Sequence, residues 1–202
     1  VGRAGSAAAL RYRVIDWLSL HLADHVITDT PEHARYFARA YQVPAGKVTA
    51  VPVGASREWF DAQPAGERPS ETLVLFYGSY IPLHGVDTIL QAADLLRERA
   101  DLHFELIGRG QTHEAMQALA RRLALPNTRF CDPVPPGRLP ALAARADICL
   151  GIFGTTGKAQ RVVPNKVYQA LALGLPLISL DSPALRGAFT PGEHLLAVPA
   201  GD

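Results

Sequence analysis

LVLFYGSYIPLHGVDTILQAADLL, residues 73–96, runs from an unbroken apolar segment through a loop bracketed by Gly78 and Gly85 into a helical pattern. A continuous apolar run is what a parallel strand buried on both faces requires. From Gly85 to Ala100 the apolar residues Val86, Ile89, Leu90, Ala93 and Leu96 recur at helical spacing, so strand gives way directly to helix. Working outward, the same alternation repeats. Strands are expected at 73–77, 103–107, 128–131, 147–152, 175–180 and 195–198, separated by helices at about 112–124, 137–145 and 166–173. With short connections and right-handed crossovers this predicts an α/β fold, a Rossmann-like doubly wound parallel sheet of about six strands with helices on both faces.

The first 60 residues read differently: a helix (RYRVIDWLSLHLA), a strand (HVITDT), a helix begun by Pro31 and Glu32, and a strand (KVTAVPV). AQPAGERPSE, rich in Pro, Gly and charge, follows as a connector, so the expected division is 1–60 and 61–202.

The composition, 48% hydrophobic and 19% charged, suits a globular chain with a real core. Twenty Lys and Arg against 19 Asp and Glu give a net charge of +1, which supplies no global field for nucleic acid or membrane. No apolar run reaches membrane-spanning length and no signal peptide is read at the start, so a cytoplasmic location is the expectation. Cys131 and Cys149 lack a C-x-x-C partner or a His at ligand spacing, which predicts free thiols and no metal site.

In an open parallel sheet, ligands bind beyond the carboxyl ends of the strands, so the loops there carry the function. The first loop, 78–85, joins glycines that permit close backbone approach to a helix start that attracts anions, and His84 stands where it could donate to a phosphate oxygen. The alternative is a solvated or capping His. The second loop, GRGQ at 108–111, sets Arg109 beside Gly108, either as a phosphate loop or as a tight turn. Neither loop supplies G-x-G-x-x-G, which argues against a simple dehydrogenase. The third, GTTGKAQRVVPNK at 154–166, carries Lys158, Arg161 and Lys166, with Asn165 the expected N-cap. Lys166 then falls in the first helical turn, where a cation opposes the helix dipole unless an anion is also present.

With these loops in view the chain resembles the donor-binding half of the retaining, two-lobed (GT-B type) glycosyltransferases of family 4. The matching pieces are ADHVITDT, KVTAVPVGASREWF, LVLFYGSYIPLHGVDTILQAADLL, FELIGRG, ARADICLGIF and PNKVYQALALGLPLIS, in the family's order. The resemblance implies a lobe that binds a nucleoside diphosphate sugar, without cofactor, for transfer to a polysaccharide or glycolipid acceptor. It places Gly78, Ser79, Gly85, Gly108, Arg109, Lys158, Asn165 and Gln169 around the donor, Phe130, Cys131 and Asp132 in backbone contact with the base, and His84, Arg161 and Lys166 at the chemistry.

Two departures stand out. Where many relatives offer an Arg and a Lys in the first loop, this chain has Ser79 and His84, and the family's Glu, seven residues, Glu pattern falls on Arg161 and Gln169. Gln169 can keep a ribose contact through its amide; Arg161 cannot replace a carboxylate near the sugar. The resemblance also implies an acceptor lobe as partner, of which residues 1–60 are only the end, with any peripheral membrane contact running through that lobe. The expectation is therefore a fragment that binds donor and transfers nothing. Two alternatives stay open: a non-catalytic nucleotide-binding or interaction module on the same fold, and a sugar-nucleotide epimerase, whose proton-transfer residues have no evident place here.

Overall fold

The computed structural model describes residues 7–66 and 70–201. Its contacts divide the chain into two compact units, Val1–Pro52 and Val53–Asp202. The smaller contains α1 (Ala7–Leu22), β1 (Val26–Thr28), α2 (Pro31–Tyr41) and β2 (Val48–Ala50), the two strands pairing in parallel. Helix α2 starts as its sequence dictates: Pro31 is the first helical residue and the Thr30 hydroxyl accepts from the His33 amide at 3.1 Å.

The larger unit opens with a single helical turn, α3 (Arg57–Phe60). It then alternates β3 (Thr72–Tyr77), α4 (Val86–Leu95), β4 (Leu102–Ile107), α5 (His113–Leu123), β5 (Thr128–Cys131) and α6 (Leu139–Ala143). The alternation continues with β6 (Ile148–Leu150), α7 (Asn165–Ala172), β7 (Leu177–Leu180), α8 (Pro183–Ala188) and β8 (Leu196–Val198). The six strands from β3 to β8 form one parallel sheet in the order β5-β4-β3-β6-β7-β8. The expected fold class is therefore the observed one.

Alternation along β3 sorts the core into two layers. Val74 and Phe76 pack with Val86, Ile89, Leu90 and Ala93 of α4, on the face that α5 also covers. Leu73, Leu75 and Tyr77 face the other way, toward Ala143 of α6, Val167 and Ala170 of α7, and Leu185 of α8. Trp59 joins this second layer, 3% exposed and stacked on Tyr77 with ring centroids 5.7 Å apart. Residues 53–60, grouped by the sequence with the first 60, thus belong by contact to the larger unit.

Most predicted elements recur within a few residues, with three exceptions. The stretch 137–145 is a 3-10 turn, Pro136–Arg138, followed by the five residues of α6. The helix from Gly85 stops at Leu95 rather than Ala100. The sequence reading did not include α8, although Ser182 followed by Pro183 is a strong start signal: the Ser182 hydroxyl accepts from the Leu185 amide at 3.1 Å. Cys149 is buried and Cys131 partly buried, and both are free. No helix among the described residues is long and apolar enough to cross a membrane.

Candidate donor site at the switch point of the sheet

The strand order reverses between β3 and β6, because the chain leaves β3 toward β4 and β5 and returns to build β6 to β8 on the other side. Crevices for ligands form at such a point. The loop after β3 is held on two sides by backbone alone. The Gly78 amide donates to Ile107 O and the Tyr80 amide to Arg109 O, each at 3.0 Å. A Cβ on Gly108 would lie 2.0 Å from the Gly78 carbonyl oxygen, so only glycine allows these two turns to touch. On the other side the Phe153 amide donates to His84 O at 3.1 Å and the Gly154 amide to Leu83 O at 3.2 Å. Gly85 takes a φ of +61° there, with Phe153 backbone where its Cβ would stand.

Gly78, Ser79, Gly108 and Arg109, all expected around the donor, line one open pocket of 350 Å³ with Tyr77, Ile107, Pro133, Val134 and Leu139. Arg109 pairs with Asp132 at 2.7 Å across its rim; both side chains are largely exposed, so the pair adds little to stability. Phe130 is partly buried, its ring packed near Tyr80 and His113, and Cys131, also partly buried, lies against the core.

The three cations of the third loop occupy three different environments. Lys158 is exposed ahead of the 3-10 turn Ala159–Arg161. Arg161 is partly buried, with Nη1 beside Gly157. Lys166 is 6% exposed, and its Nζ lies 3.9 Å from the centroid of the Phe76 ring with no hydrogen-bond partner among the described residues. Lys166 does fall in the first turn of α7, as expected, and its side chain leans back toward the helix start to meet the end of β3. Asn165 is corrected as well. Pro164 occupies the N-cap position with no side-chain cap, and Asn165 is the first helical residue and exposed.

His84 converges on the same spot. A Cβ built on Gly78 would lie 2.9 Å from Lys166 Nζ and 3.2 Å from His84 Cε1, so the two side chains flank that glycine. His84 is 8% exposed, its ring edge-on to Phe76, and its Nδ1 bonds the Ser79 carbonyl. Burial, then the Lys166 charge, pushes its pKa down to about 3 against the Ser79 hydrogen bond. The neutral ring therefore gives its Nδ1 proton to Ser79 and keeps a lone pair at Nε2; donation to an anion, as the sequence suggested, needs the imidazolium. Burial likewise pulls Lys166 down to about 7, with Cys149 opposing. Gln169, one turn further along α7, accepts from the Tyr77 hydroxyl at 3.2 Å, which turns its amide NH₂ away from that ring. Tyr77 and Phe76 entered the sequence reading only as strand residues; position at a strand's carboxyl end was the available signal.

A buried lysine, a neutral His and a glycine loop thus meet at the strand ends. Residues 71–202 match the family model described as glycosyl transferases group 1. The chain belongs to that family. D-inositol 3-phosphate glycosyltransferase 2 of Catenulispora acidiphila is 29% identical over 203 residues, covering 87% of this chain and 47% of the relative. Among solved structures, HepE of Anabaena in complex with UDP and glucose superposes with a TM-score of 0.80 at 14% identity, over 96% of this chain and 54% of that one. Sucrose-phosphate synthase of Thermosynechococcus elongatus gives 0.78 at 20% identity, over 99% and 52%. These structural likenesses concern the fold. This group 1 glycosyltransferase chain spans between about a quarter and a half of the length of the curated relatives it matches, and about half of the two solved structures. Among its described residues no group of three or more His, Cys, Asp or Glu is arranged to hold a metal ion.

Proposed function

We propose that the larger unit, Val53–Asp202, forms the donor-binding lobe of a retaining glycosyltransferase, taking a nucleoside diphosphate sugar for transfer to a polysaccharide or glycolipid acceptor. The observation that carries this is Lys166, buried and without a hydrogen-bond partner at the switch point, beside the glycine where a diphosphate can approach the backbone. HepE, of the same fold, was solved with UDP and glucose, which supports a nucleotide sugar as the ligand class. Breaking the bond from sugar to diphosphate builds negative charge on the leaving phosphate, and a preorganised cation lowers that barrier with no metal or cofactor. The pocket between the loops after β3 and β4 suits the nucleoside, with Gln169 available to the ribose through its NH₂ group.

The smaller unit, Val1–Pro52, belongs to the acceptor lobe in this reading. Arg161 and Gln169, standing where the family pattern has carboxylates, favour a second reading, a nucleotide-sugar-binding module without catalysis. The test is calorimetric titration with UDP-glucose, GDP-mannose and ADP-glucose, repeated with Lys166→Ala and Arg161→Ala. Binding of one donor, weakened at least tenfold by Lys166→Ala, is expected. No binding of any donor by the folded protein overturns the donor-lobe reading, and binding indifferent to both substitutions overturns the placement of the diphosphate.

A further inference from the structure

We propose that this site binds its donor together with a proton, which Lys166 takes up from solvent as the diphosphate supplies the counter-charge that its surroundings lack. The inference rests on the donor-lobe reading and adds to it a property of the binding step.

The geometry isolates Lys166. It takes part in none of the ion pairs of the described residues, and its Nζ makes no hydrogen bond there. The titratable groups that face it are His84, from the loop between β3 and α4, and Cys149, from β6. Neither carries charge near neutrality: His84 is held to about 3, and the Cys149 thiol is pushed up to about 12, chiefly by burial in both cases. What remains is the face of Phe76, whose quadrupole attracts a cation far more weakly than an anion does. A buried ammonium in such a place is disfavoured, and Lys166 accordingly sits near 7. Phosphate oxygens within hydrogen-bond reach reverse that balance and return the lysine to its ordinary range. The proton adds to the Nζ lone pair and no other bond changes.

Two consequences are measurable. Above neutrality the affinity for donor falls about tenfold per pH unit, because each bound donor must recruit one proton. In the same range binding draws a fraction of a proton from the buffer that rises with pH toward one, from a free-state value of about 7. The phosphates of a nucleotide sugar keep both their charges throughout, so the proton is the protein's.

The experiment titrates the chain with UDP-glucose, GDP-mannose and ADP-glucose at pH 6, 7 and 8, each in two buffers of widely different ionisation enthalpy. Proton uptake that rises from pH 6 to pH 8 is expected, and Lys166→Arg, which stays charged, abolishes it. Uptake that persists unchanged in folded Lys166→Arg overturns the assignment to this residue. Where that variant does not fold, the wild-type measurement decides by itself. Donor binding without proton exchange at pH 8 overturns this inference and leaves the donor-lobe reading standing, whereas no binding at any pH overturns both.

Discussion

Lys166→Met isolates the energy stored at the site. Folding moves this lysine from a value of 10.5 to about 7 by burying it, so below pH 7 the folded state carries the whole penalty of a stranded charge. Between pH 7 and 10.5 the unfolded chain holds more protons than the folded one, and stability rises with pH across that window. At pH 7 the penalty is close to three pKa intervals of 1.36 kcal/mol, or about 4 kcal/mol; at pH 9.5 about 1 kcal/mol is left. Methionine keeps the unbranched shape, sets a polarisable sulfur against Phe76 and has no charge to desolvate. The variant should therefore be more stable than the wild type by about 2 to 4 kcal/mol at pH 7, and by much less at pH 9.5. Urea unfolding of both proteins at the two pH values measures this, with equal m-values as the check that the comparison is sound. A methionine variant that is no more stable at pH 7, or whose advantage does not shrink at pH 9.5, refutes the buried-charge account. The same substitution should abolish donor binding, the exchange of function for stability expected where a site holds an unfavourable group.

Two further outcomes test the surroundings of Lys166. Gly108→Ala sets a Cβ 2.0 Å from the Gly78 carbonyl at a φ of +134°, and should destabilise by about 3 kcal/mol or more, whereas Gly137→Ala, with nothing within 4 Å, should change stability by less than about 0.5 kcal/mol; equal urea midpoints would refute the interlocked turns. His84, with a folded value near 3 against 6.5 unfolded, makes the protein lose stability as pH falls from 6.5 toward 3; between pH 6.5 and 4.5 this amounts to about 2 to 3 kcal/mol, which His84→Phe should remove from the slope, and parallel losses in both proteins would rule it out.

The sheet was legible because β3 is buried on both faces: all of Leu73 to Tyr77 are apolar or aromatic, and such a run has few other uses. Loop positions followed from the strands, which is why Gly78, Ser79, Gly108 and Arg109 arrive together in one pocket. What did not follow was the direction of side chains. Sequence shows a Lys in a first helical turn and says that it opposes the dipole; it does not show that the chain drops Lys166 onto Phe76, a residue 90 positions earlier that β3 turns toward α4. The bond from Tyr77 to Gln169, spanning 92 residues, is equally invisible to periodicity. Ser182 and Pro183 are the opposite case, a start signal that was present and unread.

Burial sets the state of Lys166, and the residues at the two pattern positions give it no counter-charge to offset that burial. Residues 166 and 169 are neighbours at i and i+3 on α7, close enough for a carboxylate at 169 to act on the lysine. With Gln169 there, neutral and already bonded to Tyr77, that influence is lost, and Arg161 at the other pattern position offers no negative charge either. His84, which faces Lys166 from the first loop, is neutral near pH 7 and supplies no counter-charge either. Lys166 is thus a buried cation with no ion-pair partner among the described residues. On the proposed reading, an anion arriving between Gly78 and α7 meets a lysine that burial has pulled down to about 7, and supplies the negative charge that keeps its proton in place. Losing the carboxylates in this way does not close the site to a diphosphate. It makes the diphosphate the counter-ion of Lys166 as well as the ligand, and ties its affinity to the availability of protons.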